Sequence, residues 1–242
     1  LVLLLDGLDE CPPERRAAVL EMVDGAARDG AIIVLSTRPS PTNAADLAPL
    51  GFRFYATLPV SHEAVTASLG EAMAEFVDTP LALSLATLVL DHGDDAPSDR
   101  AALYSRALDH IIDGAKGGGA LERAALGDVD PRALMRRLAH AAHESRSIEI
   151  GRDDMKAALG GDAHKAAAAW RLARASLLPP LAPRGDALAF SHLSFQEHLA
   201  AEASGVVALF DKLGSPWWGD SLLAGWSLAG AADRERAISA RK

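Results

Sequence analysis

The segment Leu1–Glu10, with the sequence LVLLLDGLDE, decides the interpretation of this chain. Five consecutive apolar residues end in Asp6, and two further acidic residues, Asp9 and Glu10, follow closely. An unbroken apolar run of this length is typical of a strand that is buried on both faces of a parallel sheet. We therefore predict a strand with three carboxylates at its carboxyl end.

A second apolar run, Ala31–Leu35, has the same character and leads into Ser36-Thr37-Arg38-Pro39. Between the two runs, Pro12-Pro13 suits the first turn of a helix. The apolar stripe of that helix is predicted at Ala17, Leu20, Val23 and Ala27. The order strand, helix, strand predicts a βαβ unit with a right-handed crossover. A third strand is predicted at Phe52–Leu58, where apolar residues recur at every second position.

From Ser61 onward, the apolar periodicity is that of helices. The predicted helices cover His62–Phe76, a segment after Pro80, Asp99–Ala115, a segment from Asp130-Pro131, Asp153–Leu159, Ala163–Ser176 and a segment from about Ser194. Gly117–Gly119 marks a flexible break among them. A hairpin that turns at Arg184–Asp186 is predicted before the last helix. Three helices followed by a hairpin indicate a winged helix, so the predicted fold class is α/β followed by all-α.

Composition narrows the possible functions. The chain has 242 residues and a net charge of −9, which disfavours a nucleic-acid-binding protein because such binding relies on clustered cations. Its single cysteine, Cys11, cannot form an intramolecular disulfide, so we expect a reducing, cytoplasmic setting. Leu1–Leu5 is too short to span a bilayer and lacks the basic flank of a signal peptide. Because the first residue is a leucine inside an apparent strand, we expect truncation upstream.

The acidic residues after the first strand predict a magnesium site. In open α/β sheets, ligands bind at the carboxyl ends of the strands, and magnesium is typically held by one carboxylate together with substrate phosphates. Asp6 is placed for that role, and Glu10 or Asp9 could orient an attacking water. Arg38, just past the second strand, could bind phosphate oxygens. The alternatives are solvated carboxylates that cap a strand, and a surface arginine beside a turn.

In combination, five short motifs resemble the NACHT family of signalling NTPases. Leu1–Glu10 resembles its Walker B segment, and Leu35–Pro39 resembles its sensor 1 strand. The other three are the proline motif at Thr79–Leu83, the helical-domain signature Leu103-Tyr104 and the winged-helix histidine motif at Phe190–Glu197. The resemblance covers about the first 205 residues of the chain.

The resemblance implies a partial P-loop NTPase core in residues 1–60, a helical subdomain in 61–125, a winged-helix-like domain in 126–201 and the start of a further helical region in 202–242. It also implies that Asp6 binds magnesium through water, that Glu10 with Asp9 supports hydrolysis, and that Arg38 senses the terminal phosphate of ATP. Pro80 is similar to the proline that packs near adenine, and by itself it suits the first position of a helix. His192 resembles the histidine that reaches the β-phosphate of ADP, although a histidine between Phe190 and Phe195 is more often a core residue.

Three hypotheses about function remain open. The first is a switch that is closed with ADP and open with ATP, that self-associates and binds protein partners, and that acts in innate immunity or stress signalling. No G-x-x-x-x-G-K-[ST] loop occurs in these residues, so we expect the chain alone to hydrolyse ATP poorly or not at all. The second is an interaction scaffold that binds no nucleotide. The third is a DNA-binding winged helix that uses Ala163–Ser176 as its recognition helix.

For several other residues we predict a role in the fold and none in the site. Phe190, Leu193 and Phe195 are expected in the core, and Glu197 is expected at a helix face or an interdomain contact. His140 and His143 are expected on a solvated helix face, because they form no usable ligand set. For Trp217-Trp218, core packing is the preferred interpretation and a partner surface is the alternative.

Overall fold

A computed structural model describes residues 1–11, 13–38, 41–114 and 119–240 of the chain. The chain divides into two compact units, Leu1–Leu58 and Pro59–Lys242. The first unit contains β1 (Val2–Leu5), α1 (Pro13–Arg28), β2 (Ile32–Leu35) and α2 (Pro41–Leu47), with 3₁₀ turns at Leu8–Glu10 and Ala48–Leu50.

The sheet of the first unit confirms the predicted parallel pairing. β1 and β2 run parallel, with Val2 opposite Ile32 and Leu5 opposite Leu35. The expectation that these strands are buried on both faces is wrong. Leu4 is 76% exposed and Val34, its neighbour across the sheet, is 57% exposed, so one face of the sheet is open. The sequence predicted burial on both faces because apolar residues occupy both faces of each strand. In the structure, only one face of the sheet is packed.

Two further predictions about the first unit need correction. On α1, Val23 is fully buried, but Ala17 and Ala27 are exposed, so the buried stripe is narrower than predicted. The third strand at Phe52–Leu58 is absent, and this described segment is irregular, with Tyr55 86% exposed. Alternation alone does not make a strand, because a strand needs a neighbour for its main-chain hydrogen bonds.

The second unit begins with helices that largely follow the sequence pattern. They are α3 (His62–Leu69), α4 (Glu71–Ala74), α5 (Pro80–Asp91), α6 (Arg100–Gly114) and α7 (Ala120–Leu126). The single helix predicted over 62–76 is wrong, because Gly70, at φ 90°, separates α3 from α4. α7 was not predicted. Of the predicted flexible break, residues 117 and 118 lie outside the described part of the chain.

The next segment places three helices before a hairpin, as predicted. The helices are α8 (Pro131–Glu144), α9 (Arg152–Ala158) and α10 (Ala163–Arg174), and the hairpin strands are β3 (Leu181–Arg184) and β4 (Ala187–Phe190). The two-residue turn contains Gly185 at φ 56°, a conformation that glycine adopts without steric cost. Ile150, which precedes α9, forms an antiparallel bridge with Leu188 of the hairpin.

Helix α11 (Leu193–Phe210) runs through the centre of the second unit and packs against α8 and α12. It is followed by a 3₁₀ turn at Pro216–Trp218 and by α12 (Gly219–Leu228) and α13 (Ala231–Ser239). Every residue of α11 from Phe195 to Ala201 is buried, including three polar ones. In the part of the chain that the structure describes, no helix combines the length and the apolar character needed to cross a membrane.

A charged cluster fixes α11 against α6 and α8. Arg132 of α8 donates from Nε and Nη2 to the two carboxylate oxygens of Glu202, at 3.2 and 2.5 Å. His198, one turn earlier on α11, lies 3.2 Å from the same carboxylate, and Ser105 of α6 donates its hydroxyl to it at 3.2 Å. Burial alone would raise the pKa of Glu202, but the hydrogen bonds from His198 and Arg132 outweigh it and lower the pKa from 4.5 to about 2.

Replacing Glu202 by Gln should remove a pH-dependent part of the stability. Because the folded-state pKa lies below the unfolded value, the carboxylate stabilises the fold above about pH 4.5, and this contribution is lost as the pH falls towards 2. We expect Glu202→Gln to cost on the order of 2 kcal/mol at pH 7, and the difference from wild type to shrink in acid. Urea denaturation at pH 7, 4.5 and 3 measures it. Glu149→Gln, at an exposed site, should show little difference at any pH, and a pH-independent loss in Glu202→Gln would contradict the assignment.

Candidate functional site

The site predicted at the strand ends is built around a tight turn after β1. Gly7 has φ 74° and ψ 50°, in the left-handed region, and the 3₁₀ turn Leu8–Glu10 follows it. A side chain at this position would be strained, and its Cβ would lie 3.3 Å from Cδ of Glu10. Leu8 is 5% exposed, and its amide donates to the carbonyl of Ser36 at 3.0 Å. The turn therefore joins the carboxyl ends of the two strands.

Asp6 is held by Ser36, the first residue after β2. The Ser36 hydroxyl donates to Oδ1 of Asp6, and the amide of Gly7 donates to the same hydroxyl at 2.9 Å. Asp6 itself is exposed at the end of its strand. This arrangement fixes the direction of one carboxylate oxygen while the group stays accessible to solvent.

Asp9 and Arg38, both predicted site residues, contact each other. The Arg38 amide donates to Oδ1 of Asp9 at 3.0 Å, and Nε of Arg38 lies 3.5 Å from Oδ2. The Asp9 side chain is 16% exposed and that of Arg38 is 35% exposed. The carboxylate is therefore bound twice by one residue, at the main-chain amide and at the guanidinium of Arg38.

Three residues that the sequence analysis did not single out support this turn. The guanidinium of Arg16 on α1 donates to the Leu8 carbonyl at 3.1 Å, to Oδ1 of Asn43 at 2.6 Å and to Oδ2 of Asp46 at 2.7 Å. Asn43, which is 6% exposed, donates in turn to the Arg38 carbonyl at 2.8 Å and to the Thr37 hydroxyl at 2.7 Å. Arg16 thus connects the loop after β1 to α2, and Asn43 connects α2 to the loop after β2.

The arrangement is compatible with a magnesium ion held mainly by a ligand. Among the described residues, no group of three or more His, Cys, Asp or Glu side chains is arranged to hold a metal. Magnesium commonly keeps several waters and binds one protein carboxylate together with substrate phosphates. Asp6, exposed and oriented by Ser36, fits that single-carboxylate role. A bound magnesium ion would neutralise phosphate charge there.

Glu10, a further predicted site residue, is partly buried at the end of the 3₁₀ turn, and the last two, Pro80 and His192, belong to the second unit. Pro80 is exposed at the first position of α5, after Thr79, whose hydroxyl accepts from the amide of Ala82. His192 is exposed at the N-cap of α11, and its Nδ1 accepts from the amide of Ser194 at 3.2 Å. Because Nδ1 is the acceptor, the neutral ring carries its proton on Nε2, which makes Nε2 a donor.

Several residues outside the candidate site were predicted to lie in the core or on a helix face. Phe190, Leu193 and Phe195 are buried, as expected. Core packing is confirmed for Trp218, which is 3% exposed. Glu197 is also buried, at 5% exposure, and lies between α6, α11 and α12 rather than on an open helix face.

The expectation of a solvated face is wrong for His143. It is fully buried, Trp217 stacks on its ring at 4.8 Å, and its Nε2 lies 3.2 Å from the Ser221 hydroxyl. The helical pattern on α8 did not reveal this burial, because the residues after α11 cover that side of the helix.

No protein-family model matches the chain, and the search of curated proteins also finds no match.

The hydrogen bonds from Arg16 to Leu8, Asn43 and Asp46, here called the clamp, are expected to hold the turn after β1, and substitution of Arg16 tests this directly. Arg16→Ala removes hydrogen bonds to three acceptors from a side chain that is 17% exposed, so we expect a local loss of about 2–4 kcal/mol. Arg16→Lys should restore less than half of it, because an ammonium cannot bind all three acceptors in a planar fork. Amide hydrogen exchange at Leu8 and Ser36 measures the effect.

The exposed neighbour Arg15 provides the control for this experiment. Arg15→Ala removes the same charge without touching the turn, so its exchange protection should equal that of the wild type. Equal protection in Arg16→Ala and Arg15→Ala would show that the clamp does not hold the turn.

Proposed function

We propose that this chain is part of a nucleotide-dependent signalling switch of the NACHT type. In this proposal, Leu1–Leu58 is part of a P-loop NTPase core, and the three helices α8–α10 with the β3–β4 hairpin form a winged-helix domain. The antiparallel bridge between Ile150 and Leu188 supports the second assignment, because it joins the segment between α8 and α9 to the hairpin. ADP would favour a closed state, and ATP an open state that self-associates.

The observation that carries the proposal is the set of charged side chains at the carboxyl ends of two parallel strands. Asp6, Asp9 and Arg38 lie on the two joined strand ends, where α/β sheets bind their ligands. Their proposed roles are magnesium binding through water for Asp6, support of hydrolysis for Glu10 with Asp9, and recognition of the terminal phosphate for Arg38.

His192 supports the proposal from the second unit. Its Nδ1 accepts from the Ser194 amide, and in the proposed closed state its Nε2 donates to a phosphate oxygen of ADP. A ligand shifts a conformational equilibrium only when it binds the two states differently, and a bond from His192 that exists in the closed state alone would supply that difference. Pro80 is proposed to pack near the adenine. The proposed setting is the cytoplasm, and the proposed partners are copies of the same protein and other signalling proteins.

One observation favours the competing hypothesis of an interaction scaffold. Arg38 and Asp9 already contact each other, so the group proposed to sense phosphate is held by a neighbour in this conformation. A scaffold that binds no nucleotide would keep this pair permanently.

The structure weakens the hypothesis of a DNA-binding winged helix. The cations of α10 are directed to groups of the protein itself. Lys165 pairs with Asp128 and Arg171 with Glu122, each at 3.3 Å, and Arg174 donates to carbonyls of the hairpin. These ion pairs and hydrogen bonds would have to break before the three side chains could bind a phosphate backbone.

The switch is tested by titrating nucleotide into the whole protein that the gene encodes. We expect MgADP to bind, and His192→Ala to weaken its binding by ~10- to 100-fold, the effect of one hydrogen bond to a charged group. The same variant should form larger assemblies, because it loses a contact that favours the closed state. Calorimetry gives the affinity, and light scattering gives the mass.

Matched controls make the result specific. His140→Ala removes a partly exposed histidine from α8 and should leave both measurements unchanged. Asp6→Ala should abolish the magnesium dependence of ATP binding, whereas Asp24→Ala on α1 should not. Absence of nucleotide binding in the wild-type protein would establish the scaffold hypothesis instead. Tight duplex binding in a fluorescence polarisation assay would establish the DNA-binding one.

A further inference from the structure

Ser36, the first residue after β2, directs all of its polar groups to the end of β1 and the turn that follows. Its amide donates to the Leu5 carbonyl at 2.9 Å, and its carbonyl accepts from the Leu8 amide at 3.0 Å. Its hydroxyl accepts from the Gly7 amide at 2.9 Å and donates to Oδ1 of Asp6. One residue thus bonds to every residue from Leu5 to Leu8.

Only the hydroxyl bonds require a serine. The two main-chain bonds could be made by almost any residue, whereas an alanine would lose both bonds of the side chain. Ser36 and Asp6 are both exposed, so each group could bond to water instead, and their bond adds little to the stability of the fold. The effect of the hydroxyl is therefore on where the Asp6 carboxylate points.

The Gly7 amide decides where the hydroxyl directs its proton. A hydroxyl has a single proton, and its oxygen here accepts from the amide, so the proton is left for the carboxylate. Accepting one hydrogen bond also strengthens the one that the hydroxyl donates. Oδ1 of Asp6 is therefore held by a donor whose own direction is fixed.

The other oxygen of Asp6, Oδ2, is left available. Among the residues that the structure describes, none donates to it, and the side chain is exposed. Magnesium is typically bound by one carboxylate and keeps several waters. A carboxylate with one oxygen held and one oxygen available suits the role proposed for Asp6.

The loop that begins with Ser36 also carries Arg38. The Arg38 amide donates to Oδ1 of Asp9 at 3.0 Å, so residues 36–38 are bonded to the acidic turn at both ends. The direction of the carboxylate proposed to bind magnesium and the position of the arginine proposed to sense phosphate thus depend on the same three residues.

We propose that Ser36 is a positioning residue of the magnesium site. Its hydroxyl holds Oδ1 of Asp6 so that Oδ2 is available to a magnesium-bound water, and it acts through Asp6 without binding the metal itself. This inference rests on the proposed function, because it assigns Ser36 a role at the same site.

The test is calorimetric titration of ATP into the whole protein that the gene encodes, once in excess magnesium and once in EDTA. Ser36→Ala should lower the affinity in magnesium by about three- to ten-fold, because one charged ligand loses its orientation, and the loss should be absent in EDTA. Ser36→Thr keeps the hydroxyl and should restore the affinity. Unchanged affinity in Ser36→Ala, or an equal loss in magnesium and in EDTA, would overturn the proposal.

Thr57→Ala provides the matched control. Thr57 is an exposed residue of the same unit, and its hydroxyl bonds to no described residue, so the substitution should change neither affinity. The wild-type protein tests the proposed function separately. If its ATP binding does not depend on magnesium, the switch and this inference both fail. If it does depend on magnesium and Ser36→Ala does not alter it, this inference alone fails.

A double-mutant cycle shows whether Ser36 acts through Asp6. Asp6→Ala is expected to abolish the magnesium dependence of ATP binding by itself. Adding Ser36→Ala to that variant should then cause no further loss, because the group that the hydroxyl positions is gone. If the double variant shows the full three- to ten-fold additional loss, Ser36 acts on the ligand by another route and the positioning role is wrong.

Discussion

The second unit depends on the need to bury α11 together with its polar side chains. From Phe195 to Ala201 the helix is enclosed, so Gln196, Glu197 and His198 lie in the interior. Burying a polar group costs free energy that hydrogen bonds offset, and the neighbouring elements supply such bonds to α11. The side chain of Gln196 lies 3.4 Å from Nδ1 of His143 on α8 and donates to the main-chain carbonyl of Ser147 at 2.9 Å, and Ser221 of α12 donates to the main-chain carbonyl of Glu197 at 3.0 Å. The polar groups of α11 thus specify where α8 and α12 must pack.

Local signals predicted the helices that carry their own start signals. Thr79-Pro80 and Asp130-Pro131 each provide an N-cap side chain and a proline at the first helical position, and α5 and α8 begin there. Features that depend on distant partners were not predicted. The alternation at Phe52–Leu58 resembles a strand, but sequence periodicity does not reveal whether a second strand lies beside it. The burial of His143 similarly depends on Trp217, 74 residues away.

In the candidate site, too, the residues marked by a local sequence signal could be predicted, and those that depend on contacts with distant residues could not. Asp6, Asp9 and Arg38 could be identified because charged residues directly after apolar runs are recognisable in one sequence. Arg16 could not, because an arginine on a helix is usually solvent-exposed, and only the fold brings it to Leu8, Asn43 and Asp46. The residues that hold the site rigid are therefore less visible in the sequence than those proposed to act in it.

The pair formed by Asp9 and Arg38 bears on whether this site could act as a switch. Both side chains are partly exposed, and such pairs typically contribute about 0–1 kcal/mol. A terminal phosphate carries more negative charge than a carboxylate and can accept a bidentate pair of hydrogen bonds from a guanidinium, so it could displace Asp9 from Arg38. The Asp9 carboxylate would keep the bond from the Arg38 amide to Oδ1, and its Oδ2 would be released to orient a water. The observed pair is therefore weak enough to exchange, and in the proposed switch a single event, the arrival of the terminal phosphate, would engage the sensing arginine and release the carboxylate together.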